Sequence, residues 1–444
     1  MHTVSCSKLF QYITLFAFAT FFLTNCDLFN PDEEENPVPF VANFTDDWLS
    51  EDAEGFIVIS DINGQTLNAT TWSGNTRIEF DPISDSRIIV TTGTRDEYSN
   101  TVYMTSNCYV KPGEWTWKGI LQTEYLGYVT LNLINIPNGL IDGKFSGIYQ
   151  TIGINEYSSS VLFPLYGENE YLYLSCVLQD ESEAYLLVES IVPGSTVTVD
   201  LNNLADPTNS ETNFHQSTNQ FYVRYAGYHV PGQYYNGSYP IDSHEEYGTE
   251  NADGIGFNHA VETTHYFFEF IDFDSPNHWT GDYWSFYHYG PIPSSTSKIN
   301  ADFSIINSQP DSFQIDITGT VDNVLSNWVW GGYGGYNQVK WRVFTNPNFT
   351  NLALPRMPDS IAISFDLPYS IEFQLENVQI MDYPDLTNHE EVLETLFQSE
   401  DYFFNIATDG VRIRTKQNES FTGRNNNGKI SNFQKQNDIM FPTP

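Results

Sequence analysis

Phe313-Gln-Ile-Asp-Ile-Thr-Gly319 alternates apolar and polar residues without a break. Successive side chains of a strand point to opposite faces, so this alternation describes a ribbon with one buried face and one wet face. The same period recurs at Val129/Leu131/Leu133, Val197/Val199/Leu201, Val339/Trp341/Val343, Ile361/Ile363/Phe365 and Ile371/Phe373/Leu375. Such segments suit antiparallel sheets packed in pairs. The turn chemistry agrees. Asn63-Gly64 separates Phe56–Ser60 from Thr66–Thr71 as a hairpin signal, and Pro112-Gly113, Pro193-Gly194 and Pro231-Gly232 suit type II turns. One helix is expected, near 388–398, where Asn388 can cap, Glu391 follows three residues later, and Val392, Leu393, Leu396 and Phe397 share a face. The fold class read from the sequence is therefore all-β: several antiparallel β-sandwich-like modules with one short C-terminal helix. The polar, turn-forming stretch 205–210 marks a boundary. We expect a small β-sandwich-like domain at 41–122, a second at 123–206, and a larger β-rich domain at 207–444, with a loose tail beyond Thr422.

The first forty residues have a different character. Lys8 and the amino terminus precede fifteen residues, Leu9 to Leu23, that are mostly apolar. That run is shorter than the roughly 20 residues a spanning helix needs, and it suits the apolar part of a secretory signal. It ends at Leu23-Thr-Asn-Cys26 and is followed by Asp27-Leu-Phe-Asn-Pro-Asp-Glu-Glu-Glu-Asn-Pro-Val-Pro39. Residues 1–26 resemble the export signal of a bacterial lipoprotein. The resemblance implies removal of residues 1–25, lipidation of Cys26, and attachment to a lipid bilayer through its acyl chains. Acidic residues directly after such a cysteine are similar to the surface-export signals of some Gram-negative lipoproteins. Prolines and like charges keep residues 26–40 extended, as a tether.

Lys and Arg total 18 against 57 Asp and Glu, a formal net charge of −39. That field repels phosphate backbones, so nucleic acid is excluded as a partner. Cys6 leaves with the signal and Cys26 is used for lipid. Cys108 and Cys176 remain, in a compartment where a disulfide between them could persist. The other reading is two buried thiols acting as small hydrophobes.

Aromatic residues carry the main functional hint. Trp279, Trp284, Tyr287 and Tyr289 form one cluster, and Trp328, Trp330, Tyr333 and Tyr336 another beside several glycines. Tyr and Trp combine a flat apolar face with a polar edge, which suits stacking on sugar rings. They serve equally well in a sheet core. Asp272, Asp274 and Asn277 place oxygen ligands in one turn, with Asp282 close behind, and calcium takes such ligands. His259, Glu262 and His265 could share zinc only if the chain turns between them. The sequence holds no His-Glu-x-x-His, nucleophile elbow, phosphate loop or dinucleotide-binding glycine pattern. The expected protein is a non-enzymatic outer-membrane lipoprotein, exposed at the cell surface. Its C-terminal β region would bind a glycan or an envelope protein, with no cofactor unless calcium. The competing readings are a secreted polysaccharide hydrolase and a purely structural or adhesive subunit.

Overall fold

The computed structural model describes residues 37–418 apart from 46–48, 50–52, 97–98, 119–124, 148–149, 167–170, 190, 216–219, 228–241, 250–253, 260–265, 275–281, 332–337, 349–350, 385, 387 and 399–409. Strands dominate throughout. Residues 41–118 carry β1 (Val41–Thr45), β2 (Gly55–Ser60), β3 (Thr66–Trp72), β4 (Thr76–Glu79), β5 (Ile88–Asp96), β6 (Thr101–Val110) and β7 (Glu114–Lys118). Residues 125–200 carry β8 (Tyr125–Ile134), β9 (Leu140–Ser146), β10 (Thr151–Ile154), β11 (Ser160–Tyr166), β12 (Leu172–Leu178), β13 (Glu183–Val188) and β14 (Thr196–Asp200). Next come β15 (Thr208–Asn213), β16 (Gln220–Gly227), β17 (Asp242–Thr249), β18 (Gly254–His259), β19 (Tyr266–Phe273), β20 (Tyr283–Gly290) and β21 (Ala301–Asn307). The rest are β22 (Phe313–Gly319), β23 (Asn323–Trp330), β24 (Val339–Thr345), β25 (Asn351–Leu352), β26 (Gln374–Asp382) and β27 (Val411–Gln417), with helices α1 (Asp359–Phe365) and α2 (His389–Gln398).

Twelve strands form one sheet in the order β17-β16-β19-β20-β27-β26-β23-β24-β6-β5-β2-β3. Every pairing in it is antiparallel except that of β24 with β6, where Val339 lies beside Val102. Both faces of this sheet are covered. On one, Phe40, Ala42, Phe44, Trp115 and Trp117 of the β4-β1-β7 sheet and its approach meet Ile57, Ile59 and Val90, and Val392 and Leu393 of α2 join the same core. On the other, Phe303, Phe313, Ile315 and Leu352 of the β21-β22-β25 sheet pack on Val58, Met104, Trp328, Trp341 and Val378. Residues 41–122 thus do not close on themselves as the separate domain read from the sequence. Their strands β2, β3, β5 and β6 share a sheet and two cores with residues beyond 207.

Residues 125–204 form a body of their own. Two sheets, β10-β9-β12-β13 and β11-β8-β14, face each other across a core that includes Val129, Leu131, Phe145, Phe163, Leu172, Leu174 and Cys176. This sandwich is inserted between two strands, β7 and β15, that lie outside it. Pro193-Gly194 makes the expected tight turn, with Gly194 at φ 78° and the Ser195 amide donating to the Val192 carbonyl. The Asn63-Gly64 hairpin also forms, pairing β2 with β3 around Gly64 at φ 80°. Pro231-Gly232 lies outside the described residues.

Two sequence expectations change. Ile361-Ala-Ile-Ser-Phe365 is helical, with Ile361 and Phe365 buried one turn apart and Ile363 77% exposed. Residues i and i+4 share a helix face, so two apolar residues four apart satisfy both periods. Asp366 in the left-handed region closes this helix, the Leu367 amide donating to the Ala362 carbonyl. Ile371 is exposed in a tight 3-10 turn, and the strand begins only at Gln374. The second concerns the cysteines, for which the sequence left two readings: Cys108 and Cys176 are free buried thiols in different cores and are not bridged. Burial pushes Cys108 up to about 12 and Cys176 to about 11.

Candidate functional site

The expected aromatic platform is divided by the sheet. Trp328 is fully buried in the core under β21-β22-β25, and its indole N–H donates to the Ser326 hydroxyl at 2.9 Å. Tyr287 and Tyr289 are buried in the core on the opposite face. Trp330 is half-buried at the margin of the Trp328 core. Trp284 is half-buried too, with the Arg414 guanidinium 4.5 Å and the Lys298 ammonium 5.7 Å from its ring centre. That ring is thus already engaged by two cations of the chain itself. Trp279, Tyr333 and Tyr336 lie outside the described residues. The described members therefore make no common surface. The reason is that β20 and β23 are interior strands covered on both sides, so alternation sends their rings into two cores.

The oxygen ligands expected for calcium are engaged by protein cations. Asp272, 3% exposed by its side chain, receives Lys298 Nζ at 2.6 Å and His215 Nε2 at 3.1 Å. Asp274 pairs with Arg414 at 2.5 Å, and Arg414 Nε also meets Asp302 at 3.3 Å. Asp282 receives the Gln417 amide at 3.0 Å. Asn277 lies outside the described residues. These charges tie β19, β27 and the β21 edge together; among the described residues no group of three or more metal-type ligands converges. His259, read as a possible zinc ligand, is buried with Nε2 2.7 Å from the Ser210 hydroxyl. Glu262 and His265 lie outside the described residues.

An exposed aromatic surface does exist, on the inserted sandwich. Eight of the seventeen exposed large apolar side chains among the described residues belong to it, far more than its share of the chain. Three rings gather there. Tyr125 is 47% and Tyr128 50% exposed, and the Tyr125 ring centre lies 5.6 Å from both Tyr128 and Tyr166. Residues three apart on a regular strand point to opposite faces. Here the register shifts opposite Leu165/Tyr166, and Gly127 at φ 131° takes up the bulge. The bulge turns Tyr125 onto the outer face that Tyr128 already occupies. Exposed Leu162 lies on the same face one diagonal step away, because its partner Thr130 is two residues from Tyr128.

The surroundings are acidic. Residues 125–206 carry ten Asp and Glu and a single cation, Lys144. Local desolvation, then the hydrogen bond and proximity of Tyr128, raise the Tyr125 phenol above its ordinary range, so it remains a protonated donor at neutral pH. Sequence reasoning missed this site because Tyr125-Leu-Gly-Tyr128 has the wrong spacing for one face of a strand. The available signal was the glycine between the two tyrosines, which permits a bulge.

No protein-family model matches the chain, and no curated protein matches it. Among solved structures the chain is similar to a candidate adhesin of Bacteroides ovatus, at 11% identity and a TM-score of 0.17, over 40% of this chain and 95% of that one. It is also similar to the TIE protein of Bacillus anthracis, at 8% identity and a TM-score of 0.13, over 66% of this chain and 62% of that one.

Proposed function

We propose that this chain is a lipid-anchored cell-envelope protein that binds a neutral glycan through Tyr125, Tyr128 and Tyr166, without catalysis. One observation carries the binding reading: a strand bulge collects three phenols on an exposed face of the inserted sandwich. Such rings offer a sugar an apolar plane with hydroxyl donors at its edge, and Gly127 leaves room between them. Ten carboxylates against one lysine disfavour uronic or sulfated sugars and leave neutral ones. Anchoring rests on the sequence 1–26 and its resemblance to a lipoprotein signal. Several acyl chains at about 0.8 kcal/mol per methylene would hold the chain at a bilayer.

A glycan array tests the binding half. The soluble chain should retain neutral glycans, and Tyr125→Ala with Tyr128→Ala should weaken retention at least about tenfold, a loss of about 1.4 kcal/mol. Equal retention by the double variant and the parent would end the tyrosine reading. The anchor is tested separately: radioactive palmitate should label the parent, and Cys26→Ala should abolish both label and membrane sedimentation.

A further inference from the structure

Asp272 belongs to β19, an interior strand of the large sheet, and its side chain is 3% exposed. Two groups from elsewhere in the chain reach the same oxygen. Lys298 Nζ lies 2.6 Å from Oδ2, and His215 Nε2 lies 3.1 Å from it. The walls around them are aromatic. Trp284 is the direct partner of Asp272 on β20, and its ring centre is 5.7 Å from Lys298 Nζ. Phe270, two residues back on the same face of β19, is fully buried and meets the His215 ring edge-on at 4.7 Å.

An ion pair in such surroundings is costly, because both groups give up water and aromatic walls return little of what is lost. An amide between the same two groups carries no charge, so joining them removes that cost. Lys416 meets Asp302 at 2.9 Å without the same pressure, since that acid is 51% exposed and stays solvated. Position favours the reaction as well. The fold holds one amine against one carboxyl group, which replaces chance encounter by a neighbour always within reach.

We infer that Lys298 and Asp272 form a self-modification site, at which Lys298 Nζ and Asp272 Cγ join as an amide with release of one water. A proton first crosses from the Lys298 ammonium to Oδ2, leaving a free amine beside a neutral acid. The nitrogen lone pair then attacks Cγ and the C–N bond forms. His215 relays the surplus proton from nitrogen to Oδ2, the C–O bond breaks, and that oxygen leaves as water. Nothing is oxidised or reduced. Lys298 is 34% exposed by its side chain, so the released water has a path to solvent. The finished bond fastens the approach to β21 onto β19, twenty-six positions earlier, and so ties the β21-β22-β25 sheet to the large sheet it covers. This inference is independent of the tyrosine site and of the anchor.

Trypsin reports the bond directly. No Lys or Arg lies between Arg224 and Lys298, so an unlinked chain should be cut after both and release Tyr225–Lys298. A linked Lys298 is not cut. The denatured parent chain should then give Tyr225–Lys340, lighter than its sequence by one water, and further digestion with chymotrypsin should give a branched fragment joining Lys298 to Asp272. Lys298→Arg keeps the cation and should restore the cut after position 298 at full mass, in a chain whose circular dichroism matches the parent. His215→Gln, folded by the same criterion, should lower the linked share severalfold at equal times after folding. A linked share equal to that of the parent would overturn the relay through His215. Recovery of Tyr225–Lys298 at full mass as the main product of the parent overturns the inference.

Discussion

Trp328 shows how far one residue can be read from sequence. Its neighbourhood, Asn327-Trp328-Val329-Trp330, looks like a surface platform because adjacent aromatics cannot share one face of a strand. That argument assumes one face is wet. Both faces of β23 are dry, so Trp328 faces one core and Leu325 the other. Trp328→Ala should therefore cost about 3–5 kcal/mol in denaturant unfolding and leave glycan retention by the remaining folded protein unchanged. His389 was equally opaque. It is 1% exposed at the start of α2, donates from Nε2 to the Cys108 carbonyl at 2.8 Å, and places Nδ1 against the Asn323 side chain at 3.1 Å. Desolvation, only partly offset by the bond to Cys108, lowers it from 6.5 to about 4. The unfolded chain thus binds the extra proton between those values, so stability is complete above about pH 6.5 and falls as pH drops toward 4. The loss is of order 3 kcal/mol at about 1.4 kcal/mol per unit. His389→Gln should flatten melting temperature against pH over that window; an unchanged slope would show that other groups govern it.

At the scale of elements, the clearest lesson lies in Asp359–Phe365. Alternation reads it as a strand, yet Pro355 and Pro358 before it and Pro368 after it leave room for one short element, and the Ile361–Phe365 spacing favours a helix. The two assignments predict different mutational costs. Ile363→Ser should be nearly neutral because that side chain faces water, whereas Phe365→Ala should cost about 3 kcal/mol by removing its edge contact with Phe56 at 4.7 Å. Comparable losses at both positions would instead indicate a buried strand. The N-terminal cap of α2 was legible: Asn388 Oδ1 accepts the Glu391 amide at 3.1 Å. Capping is a local bargain among four residues, so sequence displays it fully. The bulge that assembles Tyr125, Tyr128 and Tyr166 is not local, because it needs the partner strand β11 in register.

For the whole molecule, the all-β class followed from periodicity, while the sheet partners did not. Nothing in Val102 or Val339 announces that they will lie side by side. Residues 41–122 look self-sufficient because each of their strands has its own turn and apolar face. Only the sheet order shows that four of them complete a surface begun elsewhere. The inserted sandwich, by contrast, keeps its own core. Replacing residues 125–204 with a short Gly/Ser linker should leave the melting temperature of the larger body within a few degrees of the parent, and scanning calorimetry should lose one transition. A collapse of both transitions would mean the sandwich braces the large sheet.

The parallel contact of β24 with β6 joins strands 237 positions apart along the polypeptide. Closing so long a loop is entropically slow, so maturation of this sheet waits for most of the chain to be made. For the export proposed above, in which the chain would thread a secretion channel unfolded, that delay is a gain, since premature collapse would jam the passage. The wide sheet is thus also a timer, set by the distance between its first and last contributors.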